Sequence, residues 1–183
     1  MEAFRDCSSS FSVSFESGSQ LATIGVQSFY NSGLSGSITL PASLTSIGNA
    51  AFYLSSSLTS VSFENGSQLT TIGDDAFHQS GLIGSITLPA SLTSIGDKAF
   101  QYCSSLTSAS FRCGASALSI NNNAFGNSGV TSIAIPSTAT YGGTSTTLTC
   151  TSVGTSCSSN INVCNGAGQF CDTAGVVGTV DTC

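Results

Sequence analysis

Short stretches in which apolar and small polar residues alternate recur along the chain: Ser12-Val-Ser-Phe15, Ser37-Ile-Thr-Leu40, Ser60-Val-Ser-Phe63, Ser85-Ile-Thr-Leu88, Ser108-Ala-Ser-Phe111 and Ser132-Ile-Ala-Ile135. A period of two puts one face in a core and the other in water, so the pattern predicts six half-buried strands. Turn signals follow them. Pro41, Pro89 and Pro136 remove a backbone donor, and Gly18 and Gly66 permit positive φ. The segments between strands, such as Asp97-Lys-Ala-Phe-Gln-Tyr-Cys103, hold one short helical turn at most, with Asp74 and Asp97 as its caps.

The strands belong to a longer repeat. Residues 37–48 and 85–96 are identical at an offset of 48, and each such unit contains two related halves. Phe4, Phe29, Phe52, Phe77, Phe100 and Phe125 are spaced 25, 23, 25, 23 and 25 apart. Ile24, Ile47, Ile72, Ile95 and Ile120 each lie five residues before a Phe, and all but Ile120 precede Gly. The alternation in length arises because Phe63-Glu-Asn-Gly-Ser-Gln-Leu69 fills the place of the shorter Leu88-Pro-Ala-Ser-Leu92.

A single coil of this size cannot bury its own apolar face, so the coils must stack. Stacking predicts one internal column of Val13, Ile38, Val61, Ile86, Ala109 and Ile133 and another of the six Phe. At ~4.8 Å per strand the stack is on the order of 25 Å long. The expected fold is a repeat solenoid with one main parallel β-strand per coil, joined by turns or single helical turns.

The motif Leu-x-x-Ile-x-Leu-Pro-x-x-Leu-x-x-Ile-Gly-x-x-Ala-Phe-x-x-Cys, carried by Ile83 to Cys103 with Ile83 at the opening Leu position, resembles the BspA-like, or treponemal-type, leucine-rich repeat. The resemblance covers residues 1–140, about six coils of 23 or 25 residues. It implies a right-handed leucine-rich-repeat coil in a secreted or cell-surface protein, acting in adhesion or in protein or glycan binding. Glu2-Ala-Phe-Arg-Asp-Cys7 matches Lys98-Ala-Phe-Gln-Tyr-Cys103, which sets the expectation that the chain starts inside a coil and is truncated there. The first residues have no signal-peptide pattern.

Composition narrows the partners. Charged residues make up 7% of the chain, where roughly 25% is usual, and 37 of the 183 residues are Ser. Three basic residues against nine acidic ones give a net charge of −6. That balance argues against binding nucleic acid or an anionic membrane, and no apolar run is long enough to span a bilayer. A hydrophobic content of 40% is too high for a disordered Ser-rich stalk.

Residues 141–183 read as a Ser/Thr/Gly linker and a Cys-rich segment. Cys150, Cys157, Cys164 and Cys171 recur every seven residues, and Cys183 ends the chain. Zinc sites pair ligands two to four residues apart, which none of these spacings does. With Cys113 the five form an even set of six, expected to make disulfides in an oxidising compartment. Cys7 and Cys103, each three residues after a repeat Phe, are about 19 Å apart at ~4.8 Å per coil. They are too far apart to bond and read as inert buried thiols.

Little else carries chemistry. His78, the one histidine, sits where other coils have Tyr30, Tyr53, Gln101 and Gly126, and reads as a repeat surface residue. Asp74, Asp75 and Asp97 form a small acidic spot for which capping is the simpler account. Asn65-Gly-Ser67 is an N-glycosylation sequon in an exposed turn. No nucleophile has a His or Lys partner in register, so neither catalysis nor a cofactor is expected. The outward strand positions Ser12, Ser14, Ser37, Thr39, Ser60, Ser62, Ser85, Thr87, Ser108, Ser110 and Ser132 make a two-column hydroxyl face. Three readings fit it: weak multivalent binding of a protein or glycan, ordering of water or ice, and plain solubilisation of a structural spacer.

Overall fold

The computed structural model describes residues 2–112, 118–121, 123–136, 139–141, 163–164, 169–171 and 177–181. In chain order the strands are β1 (Thr23–Ile24), β2 (Gly36–Leu40), β3 (Ser46–Ile47), β4 (Leu58–Phe63), β5 (Thr71–Ile72), β6 (Gly84–Leu88), β7 (Ser94–Ile95), β8 (Leu106–Phe111), β9 (Ser119–Ile120), β10 (Ser132–Pro136), β11 (Thr140–Tyr141), β12 (Val163–Cys164), β13 (Gln169–Cys171) and β14 (Val177–Asp181). They build a parallel-strand β-solenoid with no helix among the described residues.

Each coil has a second strand that the alternating pattern does not mark. The two-residue strands β1, β3, β5, β7, β9 and β11 form one continuous parallel sheet, with Ile24, Ile47, Ile72, Ile95 and Ile120 buried behind it. The residue after each Ile lies hard against the backbone of the neighbouring coil. A Cβ on Gly48 would lie 2.7 Å from the Val26 nitrogen, and one on Gly96 2.5 Å from that of Asp74. Steric exclusion therefore explains the Ile-Gly pairs; nothing in the structure explains Asn121 in the same place.

The longer strands do not run as one ladder. β2 pairs with β4 and β6 with β8, both at an offset of 23 residues. At the offset of 25, β4 and β6 fall in different sheets, and Ser12–Phe15 forms no strand, only a bridge from Phe11 to Leu34. Five of the six expected long strands are therefore present. β8 continues to β10 at an offset of 24, and the β2–β4 and β6–β8 pairs each begin with a register shift, at Gly36 and Gly84, whose φ are 78° and 73°. Leu82, 2% exposed, fills the opening Leu position instead of Ile83, which is 60% exposed.

The expected helical turn around each Phe is replaced by a third ladder. The N–H groups of Gln27, Phe29 and Asn31 donate to the carbonyls of Asn49, Ala51 and Tyr53 in the next coil at 3.0, 2.7 and 2.7 Å. Ala50, Phe52 and Leu54 do the same to Asp74, Ala76 and His78. Residues two before and two after each Phe are left-handed, for example Ala50 at 53° and Leu54 at 56°, which aims alternate N–H groups along the stack. A helical turn would direct them back onto its own carbonyls. Asp74 consequently caps its neighbour: its Oδ1 accepts the Asp97 N–H at 2.8 Å, as Asn49 Oδ1 accepts that of Asp74 at 3.1 Å.

The Phe rings from Phe4 to Phe125 stack nearly parallel with centroids 4.9–5.1 Å apart, buried from Phe29 to Phe125 and with Phe4 exposed at the end of the column. Ile38, Val61, Ile86, Ala109 and Ile133 form the second buried column, while Val13 is only partly buried. Beside the rings runs a buried polar line in which Ser55 Oγ donates to Phe29 O at 2.8 Å and Cys103 Sγ to Phe77 O at 3.0 Å. Cys7 holds the same place in the first described coil but is exposed. An apolar hollow of about 590 Å³ at that end is lined by Phe4, Val13, Phe15, Leu21, Ile24 and Phe29.

At the other end β14 pairs parallel to β10, with β13 antiparallel to β14 and β12 antiparallel to β13. The expected linker and Cys-rich segment thus contributes strands to the long sheet. Cys113, Cys150, Cys157 and Cys183 lie outside the described residues, as do the side chains of Cys164 and Cys171, so their disulfide pairing stays an expectation.

Replacing Phe77 by Ala should cost about 3–5 kcal/mol through lost burial and a cavity, and Gly73→Ala about 1–3 kcal/mol through overpacking. Ser60→Ala on the exposed strand face should stay within about 0.5 kcal/mol. Urea unfolding midpoints followed by circular dichroism measure all three.

Candidate binding face

The hydroxyl face exists as a surface. Ser12, Ser14, Ser37, Thr39, Ser60, Ser62, Ser85 and Thr87 are exposed, and Ser108 and Ser110 are half-buried. Ser132 lies in β10, with its side chain outside the description. Its hydroxyls are organised in pairs matching the paired strands: Thr39 Oγ1 meets Ser62 Oγ at 2.9 Å, and Thr87 Oγ1 meets Ser110 Oγ at 3.2 Å. Alongside, Thr59 and Thr107 donate to Gly36 O and Gly84 O at 3.0 and 2.9 Å. Exposed bonds of this kind contribute little net stability, because water offers each hydroxyl the same bond.

Asn65 is exposed in its turn. Its Oδ1 accepts from Arg112 Nη1 at 3.4 Å, which leaves Nδ2, the atom a glycan would join, outside that contact. Arg112 Nη2 also donates to Phe63 O at 3.2 Å, so the guanidinium reaches two coils back.

His78 is not the surface residue its repeat position suggests. It is 9% exposed, stacked on Tyr53 at 4.7 Å and met edge-on by Tyr102 at 5.4 Å. Its Nδ1 lies 3.0 Å from Asp75 Oδ1. Burial holds its pKa below the ordinary 6.5, aided by Lys98 and opposed by Asp75. Tyr30 extends the row, stacked on Tyr53 at 5.0 Å with the Arg5 guanidinium 4.9 Å from its own ring centroid. The position after each Phe is visible in the sequence, but the stacking of its side chains into a ribbon depends on coil spacing. Among the described residues no group of His, Cys, Asp or Glu could hold a metal ion, and no helix is long and apolar enough to cross a membrane.

A family model described as the BspA type leucine rich repeat region matches residues 1–107 in six copies. The chain belongs to this family. No curated protein matches it. Among solved structures, this BspA-type chain is similar to the pneumococcal vaccine antigen PcpA, with 25% identity over 72% of the chain and a TM-score of 0.62. It is similar also to the leucine-rich repeat protein TpLRR of T. pallidum, with 27% identity over 69% of the chain and a TM-score of 0.59. A leucine-rich cell surface protein of Faecalibacterium prausnitzii shares the fold at 22% identity over 93% of the chain, with a TM-score of 0.50. The BspA-type chain spans 36%, 59% and 54% of the length of these three. Repeats of this family are generally non-catalytic.

Two outcomes follow from the buried groups. Because the folded His78 binds a proton less readily than the unfolded one, its contribution is whole above the unfolded value of about pH 6.5 and is lost as pH falls from there through the lower folded value. The melting temperature should drop from pH 7 to pH 5 by more in the native chain than in His78→Tyr, as calorimetry at matched pH values would record. Burial also pushes the Cys103 thiol up to about 11, so at pH 8 iodoacetamide should label Cys7 and spare Cys103 until the chain is unfolded, as read by peptide mass mapping.

Proposed function

We propose that this chain is a non-catalytic binding module of a secreted or surface-displayed protein, engaging a protein or glycan ligand in adhesion. The observation that carries the reading is a strand face whose outward positions are uncharged hydroxyls, exposed from Ser12 to Thr87 and half-buried at Ser108 and Ser110. Membership of a repeat family associated with surface proteins supports it, as does likeness to a pneumococcal vaccine antigen. Each hydroxyl contact is weak, so useful affinity comes from many repeats engaging at once. The pairing of Thr39 with Ser62 and Thr87 with Ser110, and the break between β4 and β6, disfavour ice binding, which needs one continuous rank of free hydroxyls.

The test is surface plasmon resonance of the full chain against immobilised mucin-type glycans and extracellular-matrix proteins. At least one should bind, and Thr39→Lys combined with Thr87→Lys should weaken it about tenfold or more without shifting the melting temperature. Absence of binding across both panels would leave the spacer reading in its place.

A further inference from the structure

The strand face has no aromatic and no charged side chain, yet interfaces usually draw their strength from Tyr, Trp and Arg anchors. Those residue types are on the opposite kind of surface, the turns that carry the Phe column. Tyr30, Tyr53 and His78 stack ring on ring with Tyr102 at the end, a ribbon spanning about 14 Å at ~4.8 Å per coil. Tyr102 is 48% exposed and meets His78 at an interplanar angle of 65°.

The same turns gather most of the chain's charge. Of nine acidic residues in the whole sequence, Glu2, Asp6, Asp74, Asp75 and Asp97 lie here, against Arg5 and Lys98. The side chains of Glu2, Asp6, Asp75 and Asp97 are 51%, 55%, 37% and 42% exposed and each sits against a local basic partner, Arg5, Arg5, His78 and Lys98, so the turn surface keeps an excess of carboxylates over the two cations, Arg5 and Lys98. Their number is not offset by the imidazole, which burial keeps neutral at pH 7.

We propose that this aromatic and acidic ribbon docks a basic polypeptide segment, one carrying Arg and Lys, on a partner protein. The inference rests on the binding-module reading but assigns a different surface from the hydroxyl face. Charge complementarity selects the occupant: the turn surface is net acidic and its outward groups, carboxylates and phenol oxygens, accept hydrogen bonds. Arg and Lys supply donors only. A sugar stacks on aromatic ring faces, and the faces of Tyr53 and His78 are taken by their neighbours in the row. The ring of Tyr102 is the open one, suited to a guanidinium lying against it. Arg5 already makes that contact with Tyr30 within the chain.

The probe is a 12-residue synthetic peptide of alternating Arg, Lys, Gly and Ser, compared by fluorescence anisotropy on the full chain with a peptide in which Ser replaces every basic residue. Binding should be seen only for the basic peptide and should weaken about tenfold or more between 50 and 500 mM salt. Asp74→Asn with Asp97→Asn preserves the carbonyl acceptor of the turn ladder, as Asn49 already does, and should weaken binding several-fold. Tyr102→Ser, a change at an exposed ring, should do likewise. Glu16→Gln with Glu64→Gln removes the same charge elsewhere and should leave affinity unchanged. The proposal fails if the basic peptide does not bind, if the Glu pair matters as much as the Asp pair, if Tyr102→Ser has no effect, or if a neutral oligosaccharide competes. If Thr39→Lys with Thr87→Lys abolishes glycan or matrix binding while the basic peptide binds undisturbed, the two surfaces are separate; if neither probe binds, both readings fall.

Discussion

Every feature of this chain is held at the spacing at which an N–H of one coil reaches a carbonyl of the next. Three such ladders run along the stack, at the long strands, at the two-residue strands and at the Phe turns. The last is the most demanding, because it places left-handed residues on both sides of each Phe, a conformation costing roughly 1–2 kcal/mol for a residue other than Gly. That cost is met by burying the rings and by satisfying three donors per coil that would otherwise be orphaned. The Phe stack at about 5 Å and the bare Ile-Gly backbones are two expressions of one distance.

Where coil lengths differ, the ladder yields. β2 with β4 and β6 with β8 pair at an offset of 23, β8 with β10 pairs at 24, and the ladder breaks between β4 and β6, at an offset of 25. The two-residue strands and the Phe turns run through unbroken, so the stack is continuous inside and on two sides while its strand side is divided into two sheets, β2 with β4 and β6 onward through β8 and β10. The hydroxyls follow that division, bonding within a pair. A surface that reads as one uniform array along the chain is therefore broken once, between β4 and β6.

Side chains at a given repeat position also change meaning with their neighbours. Ser55 and Cys103 occupy one buried line and make the same kind of bond to a Phe carbonyl, so a thiol there is a variant of a hydroxyl. Cys7, in the first coil, is exposed. His78 is buried because Tyr53 and Tyr102 flank it, and the turn that holds it also brings Asp75 to its Nδ1. Polar chemistry is thus concentrated on the turns, where side chains of successive coils meet directly.

The amino-acid pattern alone determined the solenoid, its family, the Phe and Ile columns and the exposed hydroxyl positions, since periodicity specifies which side chains face inward. It did not reveal the two-residue strands, which are too short to alternate, nor the turn ladder in place of a helical turn, because backbone hand is not encoded by residue type at Ala50, Leu54 or Tyr102. It misplaced Ile83 by one residue, since the register shift between Gly84 and Ser85 becomes visible only when β6 is set against β8. The burial of His78 and the assembly of Tyr30, Tyr53 and Tyr102 around it were decided by tertiary structure alone: residues 23–25 apart in sequence become neighbours only when backbone bonds hold their coils about 5 Å apart.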